Sequence, residues 1–368
     1  MTPTRTVSPV RIVGTGLLGT SVALGLRRAG VDVQLADASP AALRLSIDYG
    51  AGRAAEYETA ADAPAAQLPR LVVVCVPPDV TAQIVERELR AWPDAVVTDV
   101  ASIKSAPLRE LRAAGADLTR YLGSHPMAGR ETGGPLSGRA DLFLGRPWVV
   151  AAHERTTVFA LQEVEGLALD LGATPVTMTA EDHDDAVALV SHVPQLVASL
   201  LAARLLEDEH GAVALAGQGL RDTTRIARSD PALWTQILAA NGPRVAQLLR
   251  RYAEDLDEIA GALADADAPG ARRTIAQHIM AGNDGVARLP GKHGRLREFA
   301  SVTVMIDDRP GQLARLMSDI GEMDINIEDF RIEHSQGAEL GLVEVSVLPE
   351  ARTRLLDGLR GREWRIAA

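Results

Sequence analysis

Short apolar runs alternate with helical segments over the first half of the chain. From residue 10 to about residue 179, β-branched runs are separated by stretches in which apolar residues recur with helical spacing. Strands that alternate with helices are typical of a parallel sheet covered by helices. The predicted strands are VRIVG, VDVQLAD, LVVVCVP, AVVTDV, YLGSHP, PWVVAA and TPVTMT. We therefore predict an α/β protein whose first domain, residues 1–179, is Rossmann-like.

The apolar pattern changes after residue 179. Between residues 180 and 287 long Ala- and Leu-rich helical stretches replace the strands, which predicts an all-α domain. Residues 288–298 mix Gly, Pro and charged residues and are typical of a linker. The predicted strands FASVTVMID, IEDFRIEH and LGLVEVSVL follow, separated by helical segments. They predict a small α+β domain over residues 299–368.

Composition and charge exclude several classes of protein. The 368 residues carry a net charge of −11, whereas nucleic-acid binding needs clustered Lys and Arg, so we expect no nucleic-acid partner. The single cysteine, Cys75, provides no disulfide framework, and the first residues lack the apolar segment of a signal peptide. The apolar stretch 186–206 contains polar side chains that are costly in hydrocarbon, which favours a core helix over a membrane span. We expect a cytoplasmic protein whose helical domain buries its apolar faces in a homodimer.

A glycine-rich loop follows the first predicted strand. Gly14, Gly16 and Gly19 have the G-x-G-x-x-G spacing between an apolar strand and an amphipathic helix. This context brings backbone N–H groups and the positive end of the helix dipole to a pyrophosphate. Asp37, at the end of the second predicted strand, can bind both ribose hydroxyls and repel a 2′-phosphate, which favours NAD over NADP. The alternative is a Rossmann-like sheet that binds no nucleotide. The expected cofactor-binding residues are Gly14, Gly16, Leu17, Leu18, Gly19, Asp37, Val76, Pro77 and Ser102.

One histidine lies among small residues at the end of a predicted strand. The run GSHPMAGRETGG surrounds His125 with glycines, and Ser102 and Lys104 follow the preceding strand. Ligands of open α/β sheets bind at such carboxyl ends. Small residues would leave room for a flat ligand while the imidazole, oriented by the Ser102 hydroxyl, acts as a general acid or base. The alternative is a solvent-exposed turn, which Gly and Pro favour.

An arginine cluster precedes a tryptophan further along the chain, in GLRDTTRIARSDPALW. Arg221 and Arg225 are four residues apart and would share a helix face, and arginine binds carboxylates with two hydrogen bonds. A solvated, salt-bridged start of a helix is the alternative. The histidines show no metal-ligand spacing, so we expect no metal.

Several motifs resemble, in order, those of the prephenate and arogenate dehydrogenases of tyrosine biosynthesis. They are GTGLLG, TDVASIK, GSHPMAGRETGG, DHDDAVALVSHVPQ and GLRDTTRIA, and they extend over about residues 10–287. The segment DRPGQLARLMSDIGEMDINIEDFRIEH resembles an ACT domain, a regulatory module with a ferredoxin-like fold. The resemblance implies an NAD-dependent enzyme that converts prephenate to 4-hydroxyphenylpyruvate, or arogenate to tyrosine.

The resemblance also implies roles for individual residues. His125 would accept a hydrogen bond from the ring hydroxyl of the substrate, and Ser102 would orient His125 and approach the nicotinamide. Arg225 would bind the ring carboxylate, and Glu131 would line the side-chain end of the pocket. The other implied substrate-site residues are Asp222, Trp234, His192 and Gln195. For His192, on an apolar helix, a hydrogen-bonded core histidine is the alternative.

The chain departs from the family pattern at two places. Gln195 stands where members that act on prephenate often have a second histidine, and Gln218 and Leu220 stand where glycine and an aromatic residue are common. Recognition of the substrate side chain, and with it the choice between prephenate and arogenate, is therefore open.

The ACT-like segment implies a regulatory site. An aromatic amino acid such as tyrosine would bind at a loop that meets the start of a helix, which suits a carboxylate. The expected residues are Pro310, Gly311, Gln312 and Asn326. A purely structural domain is the alternative.

Other functions compete with this one. A phosphoglycerate-type dehydrogenase also joins a Rossmann domain to an ACT domain, but its nucleotide loop lies mid-chain, whereas here the loop begins at Gly14. A β-hydroxyacid dehydrogenase has the same layout but would use a lysine on a helix, whereas the mid-chain helix offers His192 instead. A non-catalytic sensor of NAD or of an amino acid would not need His125.

Overall fold

The structure is a computed structural model that describes residues 4–129, 133–208, 211–289, 299–334 and 340–367. The chain divides into two compact units. The first comprises Met1–Glu207 and Thr224–Arg251, and the second comprises Asp208–Thr223 and Tyr252–Ala368. The domain boundaries expected from the sequence stay predictions.

The first unit contains a five-stranded parallel sheet with the order β3-β2-β1-β4-β5. Its strands are β1 (Val10–Val13), β2 (Val33–Ala36), β3 (Arg53–Ala54), β4 (Leu71–Val74) and β5 (Val96–Asp99), and its helices are α1 (Leu17–Arg28), α2 (Pro40–Asp48), α3 (Thr81–Ala91) and α4 (Ser105–Ala113). All residues of β1, β4 and β5 are buried, as expected for parallel strands with both faces covered. The predicted Rossmann-like sheet is confirmed.

A second, three-stranded sheet continues from the edge of the first. It contains β6 (Gly123–Pro126), β7 (Pro147–Ala152) and β8 (Thr174–Thr179), and α5 (Val158–Asp170) connects β7 to β8. A parallel bridge between Val97 and Tyr121 joins β5 to the start of β6. β6 runs antiparallel to β7, which differs from the single parallel sheet that the sequence predicted. The reason is the connection, because the residues described between β6 and β7 include only a short 3₁₀ turn, and a parallel pair needs a long crossover.

Helices dominate the next part of the chain, as predicted. They are α6 (Ala180–Val187), α7 (Val193–Arg204), α8 (Gln218–Thr224), α9 (Pro231–Ala240), α10 (Gly242–Ala264) and α11 (Ala271–Val286). A π-helical turn, Ala188–His192, joins α6 to α7. Pro194 lies just after it and cannot donate a backbone hydrogen bond, which favours such a local change of helix geometry.

The continuous helical stretch Ala180–Glu207 is long and apolar enough to cross a membrane, with a mean hydropathy of 1.7. Core helices of soluble proteins can have the same length and composition. In this chain only 28% of its most apolar window is buried. The helix thus has one buried face, which carries His192 and Ala198, and one exposed face, which carries Leu189 and Leu200.

The second unit ends in a four-stranded antiparallel sheet with the order β10-β11-β9-β12. Its elements are β9 (Ala300–Asp307), α12 (Gln312–Glu322), β10 (Asp329–His334), β11 (Leu340–Val347), α13 (Arg352–Gly361) and β12 (Arg365–Ile366). Alternate residues of β9 and β11, such as Val304 and Val345, pack with Leu316 and Leu355 of the helices. The β-α-β-β-α-β order is the split β-α-β topology. The three predicted strands are present, and the short β12 is an addition.

Candidate active site

The glycine-rich loop joins β1 to α1 in a conformation that only glycine tolerates. Gly14 has a φ of +96°, and a Cβ there would lie 2.5 Å from the carbonyl oxygen of Cys75. A Cβ on Gly19 would lie 1.9 Å from the carbonyl oxygen of Gly14. A Cβ on Gly16, by contrast, would meet no described atom within 4 Å, so the loop presents open space there. Side chains are therefore excluded at Gly14 and Gly19, where the loop and the helix pack closely. Space remains at Gly16, on the side that a phosphate would approach.

The start of α1 can receive an anion. Within the described chain, no side chain caps this helix at Gly16. The first N–H groups of a helix lack backbone partners, so those of Leu17 and Leu18 are available to oxygen atoms of a pyrophosphate. Val76 also borders the loop. A Cβ placed on Gly14 would lie 3.2 Å from Cγ1 of Val76.

Asp37 is held against the glycine-rich loop. Its Oδ2 accepts hydrogen bonds from the backbone N–H of Thr15 at 2.6 Å and from the Thr15 hydroxyl at 2.8 Å, and its Oδ1 accepts one from Ser39 N at 2.7 Å. An ionised carboxylate has about four acceptor positions, so capacity remains for a ribose hydroxyl. The cradle fits a dinucleotide, and the contact of Asp37 with ribose stays a prediction.

His125 is hydrogen-bonded to a second histidine that the sequence analysis did not assign. Its Nδ1 lies 2.8 Å from Nε2 of His183, and the two rings meet edge to face with centroids 5.1 Å apart. His183 Nδ1 lies 2.8 Å from Oδ1 of Asp184. His183 and Asp184 are buried, whereas His125 is partly exposed. His183 is thus a hydrogen-bond partner of His125, and the orienting role that the sequence analysis gave to Ser102 stays a prediction. Ser102 is half-buried after β5, and its approach to a nicotinamide stays a prediction.

Asp184 also fixes the start of α4. Its Oδ1 accepts from the backbone N–H of Lys104 and its Oδ2 from that of Ser105, both at 2.9 Å. Burial opposes its ionisation, yet hydrogen bonds from His183, Lys104 and Ser105 together lower the pKa of Asp184 to about 2. A carboxylate on α6 thus ties that helix to the segment that follows β5.

A buried ion pair lies next to His125. The ammonium group of Lys104 contacts Oδ1 of Asp99 and donates to the carbonyl oxygen of Ser124 at 2.7 Å. Both charged side chains are buried. Lys104 thus neutralises Asp99. It also holds the backbone of β6 in place, because Ser124 directly precedes His125. Burial lowers the pKa of Lys104, and the attraction of Asp99 opposes that shift.

The electrostatic surroundings keep His125 neutral. Desolvation lowers its pKa well below the usual 6.5, and His183, Lys104 and His192 lower it further, against the attraction of Asp184. A neutral imidazole at the carboxyl end of a strand can accept a proton from a bound ligand.

His192 belongs to the same region. Asn241 Nδ2 donates to the carbonyl oxygen of Asp184 at 2.7 Å and lies 3.3 Å from Nδ1 of His192. The ring of Trp234 meets His192 edge to face at 6.1 Å. Burial lowers the pKa of His192 to about 4, so this ring is also neutral near pH 7.

The other four residues predicted to bind substrate lie in different parts of the chain. Gln195 is buried, and its Nε2 donates to the hydroxyl of Ser229 at 2.9 Å. Arg225 is exposed in the turn Arg225–Ala227, which packs on α7. Asp222 belongs to the second unit, where it accepts a hydrogen bond from Gln218 at 2.8 Å. Glu131 lies outside the described residues.

The described residues contain no group of three or more His, Cys, Asp or Glu side chains that could hold a metal.

Comparison with known proteins gives the family. Residues 22–177 match the model of the prephenate dehydrogenase nucleotide-binding domain, and residues 179–277 match that of the prephenate dehydrogenase dimerization domain. A Streptomyces niveus protein described as "Probable prephenate dehydrogenase NovF" is 38% identical over 96% of this chain and 98% of its own length. The chain belongs to the prephenate dehydrogenase family. It is an NAD-dependent oxidoreductase, and the predicted family resemblance is confirmed.

Solved structures of the family are similar to the chain. One is the prephenate dehydrogenase of A. aeolicus in complex with hydroxyphenyl propionate and NAD⁺, with a TM-score of 0.64 and 25% identity over 75% of this chain and 97% of that one. Another is the arogenate dehydrogenase of Synechocystis, with a TM-score of 0.61 and 26% identity over 75% of this chain and 99% of that one. The family therefore includes proteins named for either substrate.

The sequence analysis missed three buried residues that are hydrogen-bonded around His125 and His192, namely His183, Asp184 and Asn241. His183 and Asp184 were visible in the motif DHDDAV, where a histidine and an aspartate are adjacent ahead of His192. Asn241, between α9 and α10, gave no signal, because a single asparagine at a helix junction is typical of an ordinary cap.

Proposed function

We propose that the protein oxidises prephenate to 4-hydroxyphenylpyruvate and CO₂ with NAD⁺ as cofactor. The observation that carries the proposal is His125, a partly exposed neutral imidazole at the end of β6, hydrogen-bonded to the buried His183. A general base must be within reach of its ligand and unprotonated at the working pH; His125 is partly exposed, and its pKa is lowered.

The role of His125 is to accept the proton of the ring hydroxyl. As that proton leaves, the hydroxyl carbon becomes a carbonyl carbon and releases its hydrogen as hydride, for which bound NAD⁺ supplies the acceptor. The bond from the opposite ring carbon to the carboxylate then breaks, CO₂ leaves, and its electron pair moves through the ring to the carbonyl oxygen, which takes the proton back from His125 and becomes the hydroxyl of an aromatic ring. His125 must therefore be unprotonated when substrate binds, which its lowered pKa favours.

The residues around the glycine-rich loop would hold the cofactor. The N-terminal turn of α1 would bind the pyrophosphate, and Asp37 would bind the adenosine ribose and repel a 2′-phosphate. Ser102, after β5, would approach the nicotinamide, because β1, β4 and β5 are parallel neighbours whose carboxyl ends share one edge of the sheet.

Arg225 would bind the ring carboxylate of the substrate. Its guanidinium is exposed and forms no hydrogen bond or ion pair with the described part of the chain, so it is available for a two-bonded contact with a carboxylate. Trp234 would form an apolar wall of the substrate pocket, and His192 would form a polar one. Gln195 would contact the substrate side chain. Asp222 and Glu131 keep the supporting roles that the family resemblance implies.

Arogenate is the second candidate substrate. It carries an ammonium and a carboxylate on its side chain where prephenate carries a keto acid, and Gln195 can serve either, since an amide both donates and accepts. NADH formation with prephenate and with arogenate, measured side by side, decides between the two. NADH formation with neither substrate would refute the proposal.

The protein acts as a homodimer in this proposal. The matched dimerization-domain model and the exposed apolar residues of the helical stretch that holds α6 and α7, including Leu189, Val190 and Leu200, support it. A biosynthetic dehydrogenase of this kind would work in the cytoplasm, with no membrane and no nucleic acid involved.

The C-terminal sheet would form an ACT domain that binds an aromatic amino acid. Its β-α-β-β-α-β order and the left-handed Gly311 at the start of α12, with a φ of +90°, support this assignment. Pro310, Gly311 and Gln312 would meet the carboxylate. Asn326 is exposed, and its amide donates to Glu328 at 2.9 Å, so it would have to exchange that partner for a ligand.

Tyrosine inhibition tests the regulatory assignment. The full chain should lose activity with added tyrosine, and a shortened chain that ends near Leu296 should not. Coupling between two states is limited by differential affinity, so the expected effect is on the order of 5- to 150-fold in affinity. Equal inhibition of both chains would place tyrosine at the active site instead.

A further inference from the structure

We propose that His183 and Asp184 are positioning residues that fix the ring tautomer of His125, so that its Nε2 carries no proton and faces the substrate hydroxyl. The inference rests on the proposed function for its catalytic consequence. Its structural content, the tautomer of His125, can be measured without turnover.

The polarity of the hydrogen-bond chain follows from its buried end. Asp184 is ionised and can only accept, so the proton between it and His183 belongs to Nδ1 of His183. When His183 carries this single proton, its Nε2 is an acceptor, so His183 Nε2 accepts from Nδ1 of His125. His125 therefore has its proton on Nδ1, and its Nε2 holds a free electron pair.

Burial favours this polarity. The side chains of His183 and Asp184 are 0% and 1% exposed, so water cannot replace either partner. In the reversed chain a singly protonated His183 would donate from Nε2 to His125 and turn the lone pair of its Nδ1 toward the Asp184 carboxylate. Two buried acceptors would then face each other with no proton between them, and an unsatisfied buried polar group costs about 1–3 kcal/mol.

Asp184 is held from outside its own helix. The backbone N–H groups of Lys104 and Ser105 bind its two oxygens at 2.9 Å, so its position is set by the segment after β5. Lys104 in turn binds the carbonyl oxygen of Ser124, next to His125. The segment Lys104–Ser105 therefore holds both Asp184 and the backbone next to His125 in place.

The charged and titratable groups that face His125 come from three elements. Lys104 follows β5, His183 and Asp184 lie on α6, and His192 lies in the π-helical turn. Burial is the main cause that disfavours a proton on His125; His183, Lys104 and His192 add to it, and Asp184 opposes it. His183 and Asp184 therefore orient the ring, and burial is the main reason that it stays neutral.

Loss of His183 and Asp184 should affect kcat rather than KM. A His125 ring that carries its proton on Nε2 still forms a hydrogen bond to the substrate hydroxyl, now as the donor, so binding persists. It cannot remove the hydroxyl proton, so turnover stops in that fraction of molecules.

Two substitutions at His183 separate polarity from packing. His183→Gln keeps an acceptor for His125 and a donor for Asp184, whereas His183→Leu fills space without either. We expect kcat to fall about 100-fold or more in His183→Leu, within the range of a disabled general base, with KM changed less than about threefold. His183→Gln should recover at least about tenfold of that loss. A Leu variant as active as the Gln variant would overturn the proposal.

His153 provides the matched control. Its Nε2 donates to the carbonyl oxygen of Tyr121 at 3.0 Å and its Nδ1 accepts from Arg155 N at 3.2 Å, so it is also a bridging histidine, but its partners do not include His125. His153→Leu and His153→Gln should both leave kcat within about twofold of the unsubstituted chain. A kcat loss in His153→Leu equal to that in His183→Leu would overturn the proposal, because it would show a general packing effect.

Nitrogen NMR of the full chain with ¹⁵N-labelled histidine measures the tautomer directly. The His125 resonances are assigned by their absence in His125→Asn. We expect an unprotonated Nε2 in the unsubstituted chain and in His183→Gln, and a mixture of tautomers in His183→Leu. A protonated Nε2 in the unsubstituted chain would overturn the inference, even if the protein turns over prephenate. Conversely, if neither substrate yields NADH, the proposed function fails while this measurement still decides the tautomer.

Discussion

Nε2 of His183 lies 2.8 Å from Nδ1 of His125, although 58 positions separate the two residues in the chain. His125 lies near the end of β6, and His183 lies on α6 after two further strands. The contact joins a partly exposed imidazole to a buried one, and Asp184 completes the chain of hydrogen bonds. The partly exposed ring is thus hydrogen-bonded to groups that water does not reach.

Replacing the proposed base should abolish most turnover. His125→Asn should retain NAD⁺ binding and lower kcat by about 100-fold or more, because the amide cannot accept the hydroxyl proton at neutral pH. Steady-state NADH formation and fluorescence titration of the cofactor measure the two effects. Turnover close to that of the unsubstituted chain would remove His125 from the mechanism.

Stability should fall as the pH is lowered from 7.5 to 5. The folded chain holds the pKa of His192 at about 4, whereas the ordinary value is 6.5, so the unfolded state binds more protons in this window. Each such histidine therefore removes up to about 1.4 kcal/mol of stability per pH unit below 6.5. The lowered pKa of His125 acts in the same direction.

Urea unfolding at several pH values checks this dependence. The control is His192→Gln, which should have a shallower loss of unfolding free energy between pH 6.5 and 5. Asp184 contributes only below its ordinary 3.8, since its folded pKa is about 2. An unfolding free energy that is equal at pH 7.5 and pH 5 would contradict the prediction.

Removing the exposed arginine should weaken substrate binding selectively. Arg225→Ala should raise KM for the substrate by about 30-fold, which corresponds to about 2 kcal/mol of lost binding free energy. This is the lower end of the range of about 2–5 kcal/mol for losing one partner of a charge pair, because the site is open to water. KM for NAD⁺ should change little. Arg228→Ala, three residues on and also exposed, is the control and should leave both values nearly unchanged. Equal losses for substrate and NAD⁺ in Arg225→Ala would indicate a folding defect instead.

Asp37 should determine the choice between NAD and NADP through its charge. Asp37→Ala should increase the relative use of NADP, because repulsion of the 2′-phosphate disappears. This substitution also removes the hydrogen bonds to Thr15, so Asp37→Asn, which keeps an acceptor, is the matched variant. Both variants should gain NADP use, and Asn should keep more NAD activity. If neither gains NADP use, Asp37 is not the ribose ligand.

The exposed apolar residues of α7 should be buried between two copies of the chain. Light scattering should report a dimer, and Leu200→Lys should shift it toward monomer, because Leu200 is 61% exposed in the single chain. Val158→Lys, at a residue 72% exposed at the start of α5, is the control and should remain dimeric. A monomer at working concentration for the unsubstituted chain would contradict the prediction.

Local patterns determined much of this protein. The continuous apolar runs predicted β1, β4 and β5, because a strand buried on both faces has no polar alternation. The G-x-G-x-x-G spacing predicted the cofactor loop, since Gly14 and Gly19 stand where a Cβ would collide with backbone and Gly16 leaves open space for a ligand. Small residues around His125 likewise predicted an accessible imidazole.

The tertiary structure alone decided which groups surround that imidazole. The direction of β6 depends on how it pairs with β5 and β7, and the partner of His125 depends on where α6 packs. Lys104 is similar: the sequence placed it after β5, but its pairing with Asp99 and its contact with Ser124 arise from packing between separate elements. Hydrogen bonds between buried side chains join residues far apart in the chain, and periodicity describes only neighbours, so such contacts have no local signature.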